Sequence, residues 1–142
     1  MINYISVYTD GASRGNPGNS AIGIAVYDID NKPVFEYKKH IGTGTNNSAE
    51  YRALIYSIEI IKNLKIDFEL VNFYCDSELV VKQVRGEYRI KNPDMIKLSQ
   101  EFFNGLKNLH KRYTITHISR DKNKTADRLA NEALDEISKN KT

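Results

Sequence analysis

Four acidic residues stand where a carboxylate could do chemistry: Asp10, Glu50, Asp76 and Asp127. Asp10 and Asp76 each follow a run of residues typical of a strand, whereas Glu50 and Asp127 each fall in the first turn of a predicted helix. Gathered on one side of a sheet, such acids repel one another unless divalent cations neutralise them. Ligands that are all oxygen suit Mg²⁺ or Mn²⁺, and no Cys or His cluster in the sequence offers a zinc site.

Each acid also has a purely structural interpretation. Asp10 could belong to an Asp-Gly turn, and Asp76 could simply precede a helix cap at Ser77. Asp127 could interact favourably with the dipole of its helix. Glu50 could close a capping box at its helix N-terminus. It also lies at the edge of that helix's apolar face, where an unpaired charge costs several kcal/mol.

The hydrophobic pattern predicts an α/β fold with a five-stranded mixed sheet and helices on both faces. The predicted strands are 3–9, 20–27, 34–41, 68–75 and 113–118. The predicted helices are 48–63, 78–85, 94–109 and 126–137. The first three strands read as an antiparallel meander, and the helical crossovers require the later two to run parallel to the first. Asp10 and Asp76 are then expected at the carboxyl ends of neighbouring strands, with a Gly-rich loop directly after Asp10.

Length and composition indicate one globular domain over residues 1–142, large enough for a core of its own. The formal net charge of +3 is too small to identify a nucleic-acid-binding protein by itself. The single cysteine, Cys75, excludes an internal disulfide and suits a reducing compartment. With no long apolar run and no signal-peptide pattern, we expect a cytoplasmic protein without membrane contact.

Four blocks of the sequence together resemble the signature motifs of type 1 ribonuclease H. The blocks are YTDGASRGNPG at 8–18, TNNSAE at 45–50, YCDS at 74–77 and ADRLAN at 126–131. They occur in order, span nearly the whole chain, and each falls in a fitting predicted element. The resemblance implies a ribonuclease H-like fold and a metal-dependent endonuclease.

The activity that the resemblance implies is hydrolysis of the RNA strand of RNA/DNA hybrids, leaving 5′-phosphate and 3′-hydroxyl ends. The four acids match the family's metal-binding quartet, which holds two Mg²⁺ ions, with Mn²⁺ a possible substitute. Two such ions can activate water and stabilise the leaving oxygen of a phosphodiester. Asp10 is expected to bridge both ions beside Asp76, Glu50 to hold one ion and orient the 2′-hydroxyl, and Asp127 to complete the other site.

The resemblance also implies three groups of substrate-binding residues. The loop that approaches the RNA backbone comprises Gly11, Ser13, Arg14 and Asn16. Asn46 and Asn47 match residues that read minor-groove edges and 2′-hydroxyls, the group that separates RNA from DNA. Thr45 and Asn92 match a pocket for a DNA phosphate. Helix capping remains the alternative for Asn46 and Asn47, and a plain turn for Asn92.

The chain departs from the family in the stretch after the third acid. Many relatives carry a long basic protrusion there, whereas this chain has only a short connection with Lys82, Arg85, Arg89 and Lys91. We therefore expect a form without that protrusion and with lower affinity for the hybrid. The resemblance also implies that Tyr88 could stack against the DNA strand, as an aromatic residue does in relatives.

A second departure lies before the last helix, where Arg120 stands in place of a histidine found in relatives. Arginine cannot act as a base near neutral pH but can bind a scissile or product phosphate. His117 is expected to be a strand-end residue and Cys75 a packed thiol.

The expected partner is an RNA/DNA hybrid duplex bound by a monomeric enzyme. Two alternatives stay open at this point. The same fold could also cut double-stranded RNA with a contribution from Arg120, or the chain could be a hybrid-binding module without catalysis. The intact acidic quartet argues against an inactive module, since a pure binder gains nothing from negative charge beside phosphates.

Overall fold

The structure is a computed structural model that describes residues 2–140, with side chains described up to residue 137. Its strands are β1 (Tyr4–Gly15), β2 (Gly18–Tyr27), β3 (Pro33–Gly44), β4 (Leu70–Cys75) and β5 (Arg112–His117). Its helices are α1 (Asn46–Asn63), α2 (Glu78–Val84), α3 (Pro93–Leu109) and α4 (Lys124–Asn140), and a 3-10 turn spans Arg120–Lys122. Within this part of the chain, no helix combines the length and apolar character needed to cross a bilayer.

The strands form one mixed sheet in the order β3-β2-β1-β4-β5. β1, β2 and β3 pair antiparallel, while β4 runs parallel to both β1 and β5. The predicted five-stranded mixed sheet is therefore confirmed. The register of β1 and β4 ends with Thr9 opposite Cys75, so the next positions are Asp10, within β1, and Asp76, directly after β4.

Helices cover both faces of the sheet, as predicted. On one face α1 and α3 close over the main core, where the rings of Phe73 and Phe102 meet edge to face 5.6 Å apart. On the other face α4 packs closely against β2 because the contact uses small residues. A Cβ at Gly23 would lie 2.1 Å from the carbonyl oxygen of Ala126. Gly23 thus permits this close backbone contact, and the register shifts of β2 lie at other residues.

The first strand is longer than the sequence indicates. The alternating pattern predicts an end at residue 9, yet β1 continues to Gly15 and pairs with β2 until Gly15 faces Gly18. Asp10 therefore lies inside β1 and is not followed directly by a loop. The prediction was wrong because the small and polar residues of 10–15 have weak strand propensity. Pairing with β2 and packing under the helices outweigh that propensity.

The helix starts have identifiable caps. The hydroxyl of Thr45 accepts the N–H of Ser48 at 3.1 Å, and the hydroxyl of Ser48 accepts the N–H of Thr45 at 2.9 Å. This reciprocal capping box begins α1 two residues before the predicted start and excludes the alternative in which Glu50 closes the box. Ser77 caps α2 as predicted, and Asn92 caps α3.

Candidate active site

Three carboxylates meet at the end of the β1–β4 pairing. Each of Asp10, Glu50 and Asp76 offers an oxygen, and these oxygens all lie within 4.8 Å of one another. Asp10 comes from β1, Glu50 from the first turns of α1, and Asp76 directly follows β4. The structure thus brings together three of the four acids that the sequence singles out.

The side chain of Glu50 is held by two donors from different strands. The backbone N–H of Gly11 donates to its Oε1 at 2.8 Å, and the thiol of Cys75 donates to its Oε2 at 3.1 Å. Gly11 allows this approach because a Cβ there would lie 2.2 Å from the carbonyl carbon of Ala49. Cys75 is a packed thiol, as expected, and it also positions Glu50.

The cluster carries negative charge in a poorly solvated place. Asp10 and Glu50 are each only 5% exposed. Burial, followed by the charge of Glu50, raises the pKa of Asp10, and burial likewise raises the pKa of Glu50. Burial also raises the pKa of Asp76, although a hydrogen bond from Asn123 and the charge of Arg120 oppose this.

The donors of this cluster fit a divalent cation. Among the described residues, no Lys or Arg forms an ion pair with the carboxylates of Asp10, Glu50 or Asp76. Buried carboxylates without a counter-charge are costly, and a bound cation removes that cost. Because the donors are all carboxylate oxygens, the set suits Mg²⁺ or Mn²⁺ and not a soft metal.

Asp127 lies at the edge of the cluster. It lines the same cavity of about 500 Å³ as the three acids but is not part of the close triad. Its Oδ1 accepts a hydrogen bond from Asn131 at 3.2 Å and faces the guanidinium of Arg120 at 3.4 Å. The Arg120 side chain is 79% exposed, so it stands at the mouth of the cavity.

The predicted RNA-contacting residues connect the β1–β2 hairpin with the start of α1. The Ser13 N–H donates to Oδ1 of Asn46 at 2.9 Å, and the Asn46 N–H donates to Oδ1 of Asn16 at 3.3 Å. Arg14 forms an ion pair with Asp135 of α4 at 2.6 Å. The residues that line the acidic cavity include Gly11, Ser13, Arg14, Asn46 and Asn47. Their roles toward a substrate stay predictions.

The two residues expected at a phosphate pocket do lie together. Thr45 and Asn92 line a cavity of about 520 Å³, which Asn16, Asn46 and Asn47 also border. Both also act as helix caps, since Asn92 Oδ1 accepts the N–H groups of Asp94 and Met95 at 2.9 and 3.2 Å. Thr45 and Asn92 are thus the caps of α1 and α3, whereas Asn46 and Asn47, for which capping was the alternative, lie inside the first turn of α1. Asn92 is a cap and not the plain turn considered for it, and a phosphate contact at Thr45 or Asn92 stays a prediction.

Two cations of the short basic stretch form ion pairs with acidic residues. Lys82 pairs with Glu78 at 2.8 Å and lies 5.0 Å from the ring centre of Tyr88, which is 44% exposed. Arg85 pairs with Glu87 at 3.2 Å. His117 ends β5, as expected.

Sequence reasoning missed one buried residue beside the acids. Asn123 is only 1% exposed, and its side-chain amide donates to Oδ2 of Asp76 at 3.2 Å and to the carbonyl of Thr9 at 2.9 Å. Its position one residue before α4 looks like an ordinary cap or loop asparagine. No local pattern indicates a hydrogen bond to a residue 47 positions earlier.

Comparisons with known proteins support the resemblance to type 1 ribonuclease H that the four sequence blocks indicate. A family model described as reverse transcriptase-like matches residues 8–133. A ribonuclease HI of Halobacterium salinarum is 39% identical over 135 residues, which cover 93% of this chain and 65% of that protein. A ribonuclease H of Acetivibrio thermocellus is 34% identical, and the match covers 96% of both chains. The chain thus spans about two thirds of the archaeal relative and only 35% of a 38% identical Mycobacterium tuberculosis protein named as bifunctional.

Solved structures resemble the fold closely. The crystal structure of the Halobacterium salinarum ribonuclease H1 superposes with a TM-score of 0.88 at 39% identity, covering 94% of this chain and 98% of that one. A ribonuclease H1 solved in complex with an RNA/DNA hybrid superposes with a TM-score of 0.89 at 36% identity and the same coverage.

Proposed function

The chain belongs to the type 1 ribonuclease H family, and on that premise we propose that it is an endoribonuclease that hydrolyses the RNA strand of RNA/DNA hybrids. The observation that carries the proposal is the triad of buried Asp10, buried Glu50 and half-buried Asp76, whose oxygens lie within 4.8 Å of one another without a basic partner among the described residues. One relative of the same fold was solved with such a hybrid bound.

The four acids are proposed to hold two divalent cations, which when bound polarise water and stabilise the charge on the leaving oxygen. Asp10, Glu50 and Asp76 would be the principal ligands, with Asp127 at the edge completing the set. Glu50 is pre-positioned by Gly11 and Cys75, so its carboxylate needs little reorganisation. The products would carry 5′-phosphate and 3′-hydroxyl ends.

Recognition of the RNA strand is proposed to use the polar residues beside the acids. Asn46, Asn47, Ser13 and Asn16 lie where β1 meets the start of α1. Amides and hydroxyls of this kind can hydrogen-bond a 2′-hydroxyl and so separate RNA from DNA. Thr45 and Asn92 cap the N-termini of α1 and α3 around one cavity. Helix N-termini favour phosphate groups, so this cavity is proposed to bind a phosphate of the DNA strand.

Arg120 is proposed to bind the scissile or product phosphate. Its side chain is exposed, and its guanidinium lies beside Asp127. It can therefore contact a phosphate in the cavity without breaking any buried packing. A planar guanidinium offers two parallel hydrogen bonds to phosphate oxygens. The ion used is proposed to be Mg²⁺, with Mn²⁺ as a substitute. The working form is proposed to be a monomer in the cytoplasm.

A substrate panel tests this function. Labelled RNA/DNA hybrid, double-stranded RNA and double-stranded DNA of one sequence would be incubated with the protein in Mg²⁺, Mn²⁺ or EDTA. The proposal predicts cutting of the RNA strand in the hybrid only, with metal present, and with 5′-phosphate ends on the products. Comparable cutting of double-stranded RNA would establish the broader specificity. Hybrid binding without cutting in either metal would establish an inactive module.

A further inference from the structure

Asn123 is buried at a place where packing alone would favour an apolar side chain. Its side chain is 1% exposed, and its Oδ1 has no hydrogen-bond partner within the described part of the chain. A buried carbonyl oxygen without a partner is destabilising. The residue therefore carries a cost that an apolar side chain at the same place would avoid.

The side-chain amide of Asn123 makes two hydrogen bonds within the described residues, and both serve the acidic cluster. Its Nδ2 donates to Oδ2 of Asp76 at 3.2 Å and to the carbonyl oxygen of Thr9 at 2.9 Å. That carbonyl belongs to the peptide bond that leads into Asp10. The opposite orientation of the amide would set its oxygen against a carbonyl and a carboxylate, so only the donating orientation is favourable.

The backbone of Asn123 fixes the fourth acid as well. Its carbonyl accepts the N–H of Asp127 at 3.1 Å, and its own N–H donates to the carbonyl of Arg120 at 3.0 Å. One residue thus links the middle of β1, the residue after β4 and the first turn of α4. These are the places from which Asp10, Asp76 and Asp127 project.

Holding Oδ2 of Asp76 restricts rotation of the whole carboxylate. The position of its second oxygen is then fixed relative to Asp10, even though the two negative groups repel each other. Residues that orient metal ligands in this way typically contribute about 10–100-fold to metal affinity or activity. A neutral N–H donor does this without a positive charge that would compete with a cation.

We propose that Asn123 is a positioning residue that sets the orientation of Asp76 against Asp10 and thereby determines the affinity of the acidic cluster for divalent cations. The inference rests on the cation site of the proposed function but not on its substrate. It assigns Asn123 no contact with substrate or reacting atoms.

Calorimetry with Mn²⁺, in the absence of nucleic acid, tests the inference on Asn123→Ala and Asn123→Leu. Leu keeps the branch at Cγ that Asn has, is larger than Asn, and donates no hydrogen bond, whereas Ala is smaller, so a loss common to both variants reports the missing donor. The control is Leu106→Ala, a core substitution in α3 that lowers stability away from the acids. We expect both Asn123 variants to bind Mn²⁺ about 10–100-fold more weakly than the wild type, and Leu106→Ala to match the wild type.

A second readout follows from the same mechanism. If Asn123 acts through cation affinity, the cleavage rate that its variants lose at low Mn²⁺ is recovered at high Mn²⁺. Affinity within about twofold of the wild type in both variants would overturn the inference, as would an equal loss in Leu106→Ala. If the wild type binds Mn²⁺ and its variants bind weakly, but no hybrid is cut, the proposed substrate fails while the role of Asn123 stands.

Discussion

The backbone N–H of Gly11 and the carboxylate of Glu50 are joined by a 2.8 Å hydrogen bond across the contact between β1 and α1. The contact has no room for a side chain, since a Cβ at Gly11 would lie 2.2 Å from a backbone carbon of Ala49. Gly11→Ala should therefore displace α1 and Glu50 with it. We expect a loss of about 1–3 kcal/mol in the free energy of unfolding. The affinity of the acidic cluster for divalent cations should fall as well, because Glu50 is displaced.

Thermal unfolding and Mn²⁺ calorimetry would measure both effects. Gly105→Ala is the matched control, because a Cβ there meets the side chain of Ile58, with Cδ1 nearest at 3.1 Å, and not a backbone atom as at Gly11. That variant should bind Mn²⁺ like the wild type. If Gly11→Ala had the same stability and the same cation affinity as the wild type, close packing of β1 against α1 would not be what positions Glu50.

Without cations, the acidic cluster should destabilise the fold. Asp10 has a pKa raised by burial and by Glu50, so the folded state retains a proton that the unfolded state releases near its ordinary pKa. Stability then falls as the pH rises above that ordinary value. In EDTA, Asp10→Asn should raise the free energy of unfolding by about 1 kcal/mol or more at pH 8, and by less at pH 5.

Denaturant unfolding at the two pH values checks this expectation. Asp30→Asn, in the exposed turn between β2 and β3, is the control and should leave stability unchanged at both. If Asp10→Asn were less stable than the wild type at pH 8, the ionised carboxylate of Asp10 would not destabilise the fold, and the expectation would be wrong.

Asn92 combines a cap with the proposed phosphate cavity, and two substitutions separate these roles. Asn92→Ala removes the cap of α3 and should cost about 1 kcal/mol of stability. Asn92→Asp keeps a capping oxygen, so stability should stay near that of the wild type, but its charge should repel a phosphate. Hybrid affinity, measured by titration at several salt concentrations, should fall in Asn92→Asp. Unchanged affinity in that variant would remove Asn92 from the phosphate site.

Arg120→Ala should lower the turnover of hybrid cleavage without abolishing cation binding. The reason is that the guanidinium pairs with Asp127 at the edge of the cluster, and its 79% exposed side chain is available to a phosphate. Steady-state kinetics and Mn²⁺ calorimetry would be compared with Lys65→Ala, an exposed cation between α1 and β4. Unchanged kinetics in Arg120→Ala would exclude the proposed role.

Much of this architecture could be predicted from the sequence because it depends on local patterns. Alternation and helical periodicity located all five strands and four helices, and crossover rules placed Asp10 beside Asp76. The extension of β1 to Gly15 could not be predicted, since it depends on pairing with β2. Likewise, Glu50 has a capping-box spacing, but its actual donors, Gly11 and Cys75, are distant in sequence. Asn123 was missed because its partners are also distant.

The most direct test of the account is cleavage of a labelled RNA/DNA hybrid by the wild type, Asp10→Asn and the control Asp30→Asn, with Mg²⁺ and with EDTA. We expect that the wild type and Asp30→Asn cut the RNA strand only with metal, and that Asp10→Asn is inactive although folded. Equal cutting by Asp10→Asn, or cutting by the wild type in EDTA, would contradict a metal-dependent mechanism based on the acidic cluster.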